Sequence, residues 1–138
     1  MKLQLVALDG IKLDESVYSI TLPTASGEIT VFPDHEPLMS VLVPGVITVR
    51  KAQNDPDQML EHYATFGGVL EIAPGFVRVL VDEAEDDISE AEAEKARQAA
   101  EKLRAEAKNQ VELDKAQALI DRQAVRLQVA GLRRHNRR

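Results

Sequence analysis

The chain has no cysteine and no tryptophan, and aromatic residues fill only 4% of its 138 positions. The missing cysteine removes disulfides, thiolate zinc sites and thiol nucleophiles together, and points to a reducing compartment. Scarce aromatics leave Val, Leu and Ile to build the core. No run approaches the roughly 20 apolar residues that a bilayer-spanning helix needs. The opening residues Met1-Lys2-Leu3-Gln4-Leu5-Val6 begin a strand pattern and lack the apolar run and cleavage site of a signal peptide. A net charge of −6 provides no positive surplus, so no nucleic-acid partner is expected.

A second scarcity is positional. Every proline, every aromatic and all glycines but Gly131 lie at or before Phe76, and helix-forming residues dominate after Asp82. Two pieces with different physics are expected: residues 1–84 as an antiparallel β-sandwich and residues 85–138 as an antiparallel α-helical hairpin. The sandwich follows from many short apolar stretches between close turn signals. Strands are expected over 2–8, 16–22 (ending at Pro23), 28–32, 38–43, 46–51, 59–66, 69–72 and 76–81. Asp9-Gly10, Pro44-Gly45, Gly67-Gly68 and Pro74-Gly75 separate several of them. Gly67-Gly68 lacks the Lys-Ser or Lys-Thr of a phosphate loop and reads as a turn or close backbone approach.

Ser89-Glu90-Ala91-Glu92 matches a capping box, which opens a helix by satisfying free amides. That helix should run to about Lys108, break at Asn109-Gln110 and resume from Val111 to Ala130, with Gly131 ending it. Its apolar face is Ala93, Ala96, Ala99, Ala100, Leu103 and Ala107; the second helix offers Leu113, Ala116, Ile120, Ala124 and Leu127. Alanine buries little, at roughly 0.8 kcal/mol per methylene-sized group, against about 1–2 kcal/mol per residue for ordering backbone. A marginally held hairpin with two accessible arrangements is therefore expected. Acids dominate from Asp82 to Glu106 and the balance turns basic afterwards, so the two helices should attract each other. The run Asp82-Glu83-Ala84-Glu85-Asp86-Asp87 lacks the glycine and ligand spacing of a calcium loop and reads as a solvent-facing linker.

Two stretches carry a family likeness. Gly27-Glu28-Ile29-Thr30-Val31-Phe32-Pro33-Asp34-His35-Glu36-Pro37-Leu38 resembles G-E-L-G-I-x-P-G-H-x-P-L, and Gly67-Gly68-Val69-Leu70-Glu71-Ile72-Ala73-Pro74-Gly75 resembles G-G-x-L-E-V-x-P. With Val77-Arg78-Val79-Leu80-Val81 as a closing strand and a helical hairpin after it, nearly the whole chain resembles the epsilon subunit of bacterial F-type ATP synthases, similar also to the mitochondrial delta subunit. Thr30 and Asp34 stand where the pattern has glycine. Asp tolerates positive φ better than most residues, so the turn at Asp34 should persist, and Thr30 should sit in regular strand.

The resemblance implies a noncatalytic rotor subunit on the central stalk, coupling proton translocation to ATP synthesis. It implies a sandwich bound to the gamma subunit and the c-ring, with Glu28, Phe32 and His35 as contact candidates. The hairpin would inhibit ATP hydrolysis by extending a basic arm toward the alpha/beta hexamer, with Arg126, Arg133, Arg134, Arg137 and Arg138 as its candidates. Association with the cytoplasmic face of the bacterial plasma membrane would be peripheral and through the complex. Some members bind ATP through I/L-D-x-x-R-A; here Ile88-Ser89-Glu90-Ala91-Glu92-Ala93 puts Ser for Asp and Glu for Arg. A carboxylate facing triphosphate is repulsive, so ATP binding is not expected and no cofactor is assigned.

The residues themselves leave plainer readings open. Glu28 can be a solvated strand-end carboxylate, His35 a locally satisfied elbow histidine, and the terminal arginines a frayed tail. His35, His62 and His135 stand in separate segments, which disfavours a metal site, and Ser19, Ser26 and Ser40 have no evident base. The alternative to a rotor subunit is a free-standing β-sandwich interaction module with a helical tether or dimerisation arm.

Overall fold

The computed structural model describes residues 1–136, with side chains through Arg133. The elements run β1 (Lys2–Ala7), β2 (Gly10–Ser16), β3 (Ser19–Thr24), β4 (Gly27–Val31), β5 (Leu38–Leu42), β6 (Gly45–Arg50), a 3₁₀ turn (Asp57–Met59), β7 (Glu61–Thr65), β8 (Gly68–Ala73), β9 (Phe76–Val81), α1 (Glu90–Ala105) and α2 (Gln110–Asn136). The expected class, a β-sandwich followed by a helical hairpin, is what the chain adopts.

One layer of the sandwich is β2-β1-β9-β8-β5 and the other β4-β3-β6-β7; the two are joined through the single pairing of Thr24 with Leu42. Pairings are antiparallel except β1 with β9, where Lys2 to Val6 run parallel to Phe76 to Leu80. Alternation builds the core: Leu3 and Leu5, Leu70 and Ile72, and Val77, Val79 and Val81 face inward from the first layer. Ile20, Leu22, Val31, Ile47, Val49 and Tyr63 meet them from the second. Gly68 is required by packing, since a Cβ there would overlap the Leu80 carbonyl oxygen and approach Val81 Cα to 2.9 Å. This is the close approach expected of the Gly67-Gly68 pair.

Several boundaries differ from the sequence reading. Gly10–Ser16 is a strand of its own, paired with β1 across a bulge at Leu5/Val6, and the chain breaks at Val17-Tyr18 before β3. Its polar residues hid it, because it is an outer edge strand needing few apolar contacts. β3 passes through Pro23 to Thr24. There β3 changes neighbours, pairing with β6 up to Thr21 and with β5 only at Thr24, so a missing N–H at Pro23 costs no ladder bond. β7 starts at Glu61, after the 3₁₀ turn, rather than at Met59.

Ser89 caps α1, its Oγ accepting from the Glu92 amide at 3.3 Å. α1 ends at Ala105, short of the expected Lys108, and the break falls at 106–109, so Gln110 already opens α2. The start of α2 has a local cause, since Asn109 Oδ1 accepts from the Glu112 amide at 2.9 Å and Glu112 Oε2 accepts from the Lys108 amide at 2.9 Å. Gly131 does not end α2, which continues to Asn136. A helical glycine costs only about 1 kcal/mol relative to alanine, and the neighbouring turn is held from outside by Val129, Ala130 and Arg133.

α2 lies on β7 and β6, where Val129 and Ala130 pack with Ala64, Ile88 and Ala93, flanked by Val46, Phe66, Val125 and Leu127. Between the helices, Ala93 and Ala100 of α1 and Ala116 of α2 are buried as the apolar pattern requires. Leu103, Leu113 and Ala124 are exposed, contrary to their assignment to the inner face, and Gln123, Val129 and Ala130 are buried in their place. The helix rotates toward the sheet, so its buried face is shared between α1 and β7. Among the described residues no helix is long and apolar enough to cross a membrane.

Candidate functional site

The first region is the outer face of the five-stranded layer. Register places Ile11 opposite Val6, Val6 opposite Leu80, Leu80 opposite Val69 and Val69 opposite Val41. Directly opposed residues share a face, so these five form one apolar row across five strands. Val6 is half-buried, and the other four are exposed, from 41% at Val69 to 61% at Ile11. The next row is polar from Glu71 through Arg78 and Gln4 to Asp14, with exposed Met39 opposite Glu71 at its β5 end and Arg78 Nε donating to Gln4 Oε1 at 3.3 Å. A largely exposed apolar row beside a polar one has the composition of a contact surface. Sequence reasoning missed it, because each strand contributes only one or two of these residues.

The second region is β4, which pairs only with β3 and forms an edge. Ile29 and Val31 point inward while Glu28, Thr30 and Phe32 alternate outward. Thr30 sits in regular strand opposite Thr21, their Oγ atoms 3.0 Å apart, as expected. Phe32 meets Tyr18 edge to face at 5.7 Å. Asp34 takes φ of +67°, so the turn persists without glycine. His35 is exposed and its Nδ1 donates to the Glu36 carbonyl at 2.7 Å. Phe32, Asp34 and His35 gather with Met1, Gly75 and Phe76 at one end of the sandwich. Glu28 lies at the other end of β4, separated from Phe32 by roughly 13 Å of strand. The three candidates thus share an edge without forming one cluster.

The third region joins hairpin to sandwich. Glu85 pairs with the free edge of β7: its amide donates to the Ala64 carbonyl at 3.0 Å and its carbonyl accepts from the Ala64 amide at 2.8 Å. Its carboxylate receives Arg126 in a two-pronged contact, Nε to Oε2 at 3.1 Å and Nη2 to Oε1 at 3.0 Å. Arg126 Nη1 also donates to the buried Gln123 at 2.9 Å. Arg122 pairs with Glu83 and covers the Phe66 ring at 4.1 Å. Arg133 donates to the Asp86 carbonyl and lies 4.0 Å from Asp87. The acidic run is thus only partly the solvent-facing linker expected: Glu83, Asp86 and Asp87 are exposed, while Glu83 and Glu85 pair with α2 and Asp82 Oδ1 accepts from the Phe66 and Glu83 amides. The basic side of α2 turns to this connector, while Arg97 of α1 stays within its own helix, bonding Glu94 and Glu101. Among the arm candidates, Arg126 and Arg133 are thus engaged. Arg137, Arg138 and the Arg134 side chain lie outside the described residues.

Under the C-terminal half of α2, His62 is buried, with Thr48 Oγ1 at 3.0 Å from its Nδ1. Burial lowers its pKa below the ordinary 6.5.

A sandwich offering one bare apolar face and one polar edge, with charged helices strapped to its flank, defines a protein built for contact within an assembly. The delta/epsilon-chain β-sandwich domain of ATP synthase matches residues 1–87. An ATP synthase epsilon chain of Herpetosiphon aurantiacus is 36% identical over 138 residues, covering 98% of this chain and 97% of that one. Another, from Chloroflexus aggregans, is 36% identical over 139 residues, covering 99% and 96%. A chain in the cryo-EM structure of Euglena gracilis mitochondrial ATP synthase, comprising OSCP, F1 and c-ring, shares the fold. Its TM-score is 0.78 at 22% identity, with 94% of this chain and 79% of that one covered. The chain belongs to the ATP synthase delta/epsilon family, whose epsilon chain is a subunit of the synthase and not a catalytic one.

Proposed function

We propose that residues 1–84 form the part of the rotor that grips the gamma subunit and rests on the c-ring, and that residues 85–138 form a regulatory hairpin. The observation that carries this reading is the apolar row Ile11–Val6–Leu80–Val69–Val41, a face with the chemistry of a permanent protein contact. Gamma is assigned to that row. The c-ring is assigned to the β4 edge and its elbow, where Glu28, Phe32 and His35 suit polar loops. Torque passing between the two contacts would couple ion flow to nucleotide chemistry elsewhere, and membrane association at the cytoplasmic face would come through the complex.

The hairpin in this arrangement is the seated state, with Arg126 and Arg133 turned to the chain's own acids. Swung out, the same arginines would meet acidic surfaces of the alpha/beta hexamer and obstruct hydrolysis. ATP is not the signal in this reading: Ser89 is spent on capping α1, Glu92 brings negative charge to its first turn, and Arg122 and Arg126 already hold carboxylates.

Val69→Lys with Leu80→Lys tests the sandwich. Both side chains are exposed, so the fold should stand while copurification with gamma is lost. Retained copurification would remove the row from the account. Deleting residues 90–138 tests the hairpin: assembly should persist and ATP hydrolysis by the complex should rise, and unchanged hydrolysis would remove the brake.

A further inference from the structure

We infer that the segment Glu83–Asp87 is an intramolecular stand-in for an acidic partner, forming a salt-sensitive latch that keeps α2 seated and its arginines masked. The inference deepens the proposed function and rests on its reading that the hairpin is the part that moves.

The geometry is a match of two repeats. An extended chain advances about 3.3 Å per residue, so acids two apart are roughly 6.6 Å apart. A helix advances about 1.5 Å per residue, so arginines four apart are roughly 6 Å apart along the axis. Glu83 and Glu85 therefore meet Arg122 and Arg126 in register, each acid on its own arginine. Arg133 is seven residues further along, out of step with the connector, and its ion pair is the loose one at 4.0 Å.

The latch is anchored rather than floating. Both backbone bonds between Glu85 and Ala64 fix that carboxylate to the β7 edge before any arginine arrives. Gln123 orients the Arg126 fork from beneath, and Phe66 supports the Arg122 plane. The apolar seat under these contacts is smaller than the inter-sheet core: three of its five buried side chains are the alanines Ala64, Ala93 and Ala130, beside Ile88 and Val129, with Val46, Phe66, Val125 and Leu127 at its margin. Charge thus adds a salt-dependent share to what holds α2 down. Its contacts are partly exposed, so added salt weakens them: the screening length falls from about 10 Å at 0.1 M to about 3 Å at 1 M. Release presents Arg122, Arg126 and Arg133 together on one side of a helix, so masking and release are mutually exclusive states of the same side chains.

Amide hydrogen exchange on the full-length chain tests this. Raising salt from about 0.05 M to about 0.5 M should speed exchange across residues 116–130 roughly tenfold, while β1, β8 and β9 stay protected. Glu83→Lys with Glu85→Lys should give the faster exchange at low salt. Glu83→Gln with Glu85→Gln, which keeps shape and removes charge, should flatten the salt response. A salt response of α2 equal to that of β8, or one unaltered in the Gln variant, would overturn the latch. Should β8 and β9 lose protection in the Lys variant, the wild-type salt series and the Gln variant still decide. Hydrolysis by the assembled complex separates the two readings. If it ignores hairpin deletion while α2 exchange follows salt, the brake fails and the latch stands; the reverse pattern sinks the latch alone.

Discussion

Two interfaces in this molecule seal side chains from water, and they do it with different means. Between the sheets, Leu3, Leu5, Ile20, Leu22, Ile47, Leu70, Val77 and Val79 interlock with no exposed surface to speak of. Between sheet and helix, the buried residues are Ala64, Ile88, Ala93, Val129 and Ala130, rimmed by Arg122, Arg126 and Arg133 on acids. A buried Leu or Val contributes about 1.5–3 kcal/mol, whereas a partly exposed ion pair contributes about 0–1 kcal/mol and depends on salt. The stability of the sandwich therefore rests mainly on apolar burial, with its own ion pairs confined to the surface, and the seating of the hairpin rests more on charge. That inequality is what the proposed function asks for, a rigid body carrying a hairpin that moves.

The strongest way to break the comparison is a matched pair of truncations. Leu70→Ala, in the middle of β8 at 0% exposure, should lower global stability in urea unfolding by about 2–5 kcal/mol. Val129→Ala, equally buried under α2, should cost about 1–2 kcal/mol. Its effect should show in exchange of the helices and hardly at all in β8 and β9. Equal losses spread over the whole chain for both variants would mean that sandwich and hairpin unfold as one unit.

A smaller effect sharpens the same contrast. Ser89→Ala removes the acceptor for the Glu92 amide and should cost about 1 kcal/mol. That loss belongs to α1, so circular dichroism of the helical signal should melt a few degrees earlier while the sheet signal keeps its midpoint. A common shift of both signals would contradict the independence argued above.

What was legible in the sequence follows the same division. Period-two alternation in Leu3-Gln4-Leu5 and Val77-Arg78-Val79-Leu80-Val81 is a local signal, and it located strands and the core faces. Ser89 and Asn109 marked helix starts because a cap is decided within four residues. The features that escaped are made by register and docking. Val41, Val69, Leu80, Val6 and Ile11 form a row only once five strands are aligned. Glu83 and Glu85 read as solvated until α2, some forty residues later, lies along them. The same docking rotated α2, hiding Val129 and Ala130 and leaving Leu113 exposed. Phe32 and His35 stood out as candidates because their motif is contiguous, and their separation from Glu28 along β4 appears only in three dimensions.

The smallest expected effect concerns pH and falls at the boundary between the two regions. His62 stands on β7 beneath the C-terminal half of α2, with Glu61, Asp86 and Arg133 around it and Thr48 bonded to its ring. Glu61 and Asp86 favour a charged ring, Arg133 opposes it, and burial decides the balance against charge, so the folded-state pKa lies below 6.5. The folded form then binds fewer protons than the unfolded form just below that value. The stability it contributes is complete above pH 6.5 and is lost as pH falls through the lowered folded-state value. Carboxylates remain ionised down to about pH 5, so their titration stays outside this window. Urea midpoints measured between about pH 7.5 and pH 5 should fall in the wild-type chain. His62→Gln, which keeps a partner for Thr48 and cannot titrate, should flatten that slope, and an equal slope in both proteins would place the acid sensitivity elsewhere.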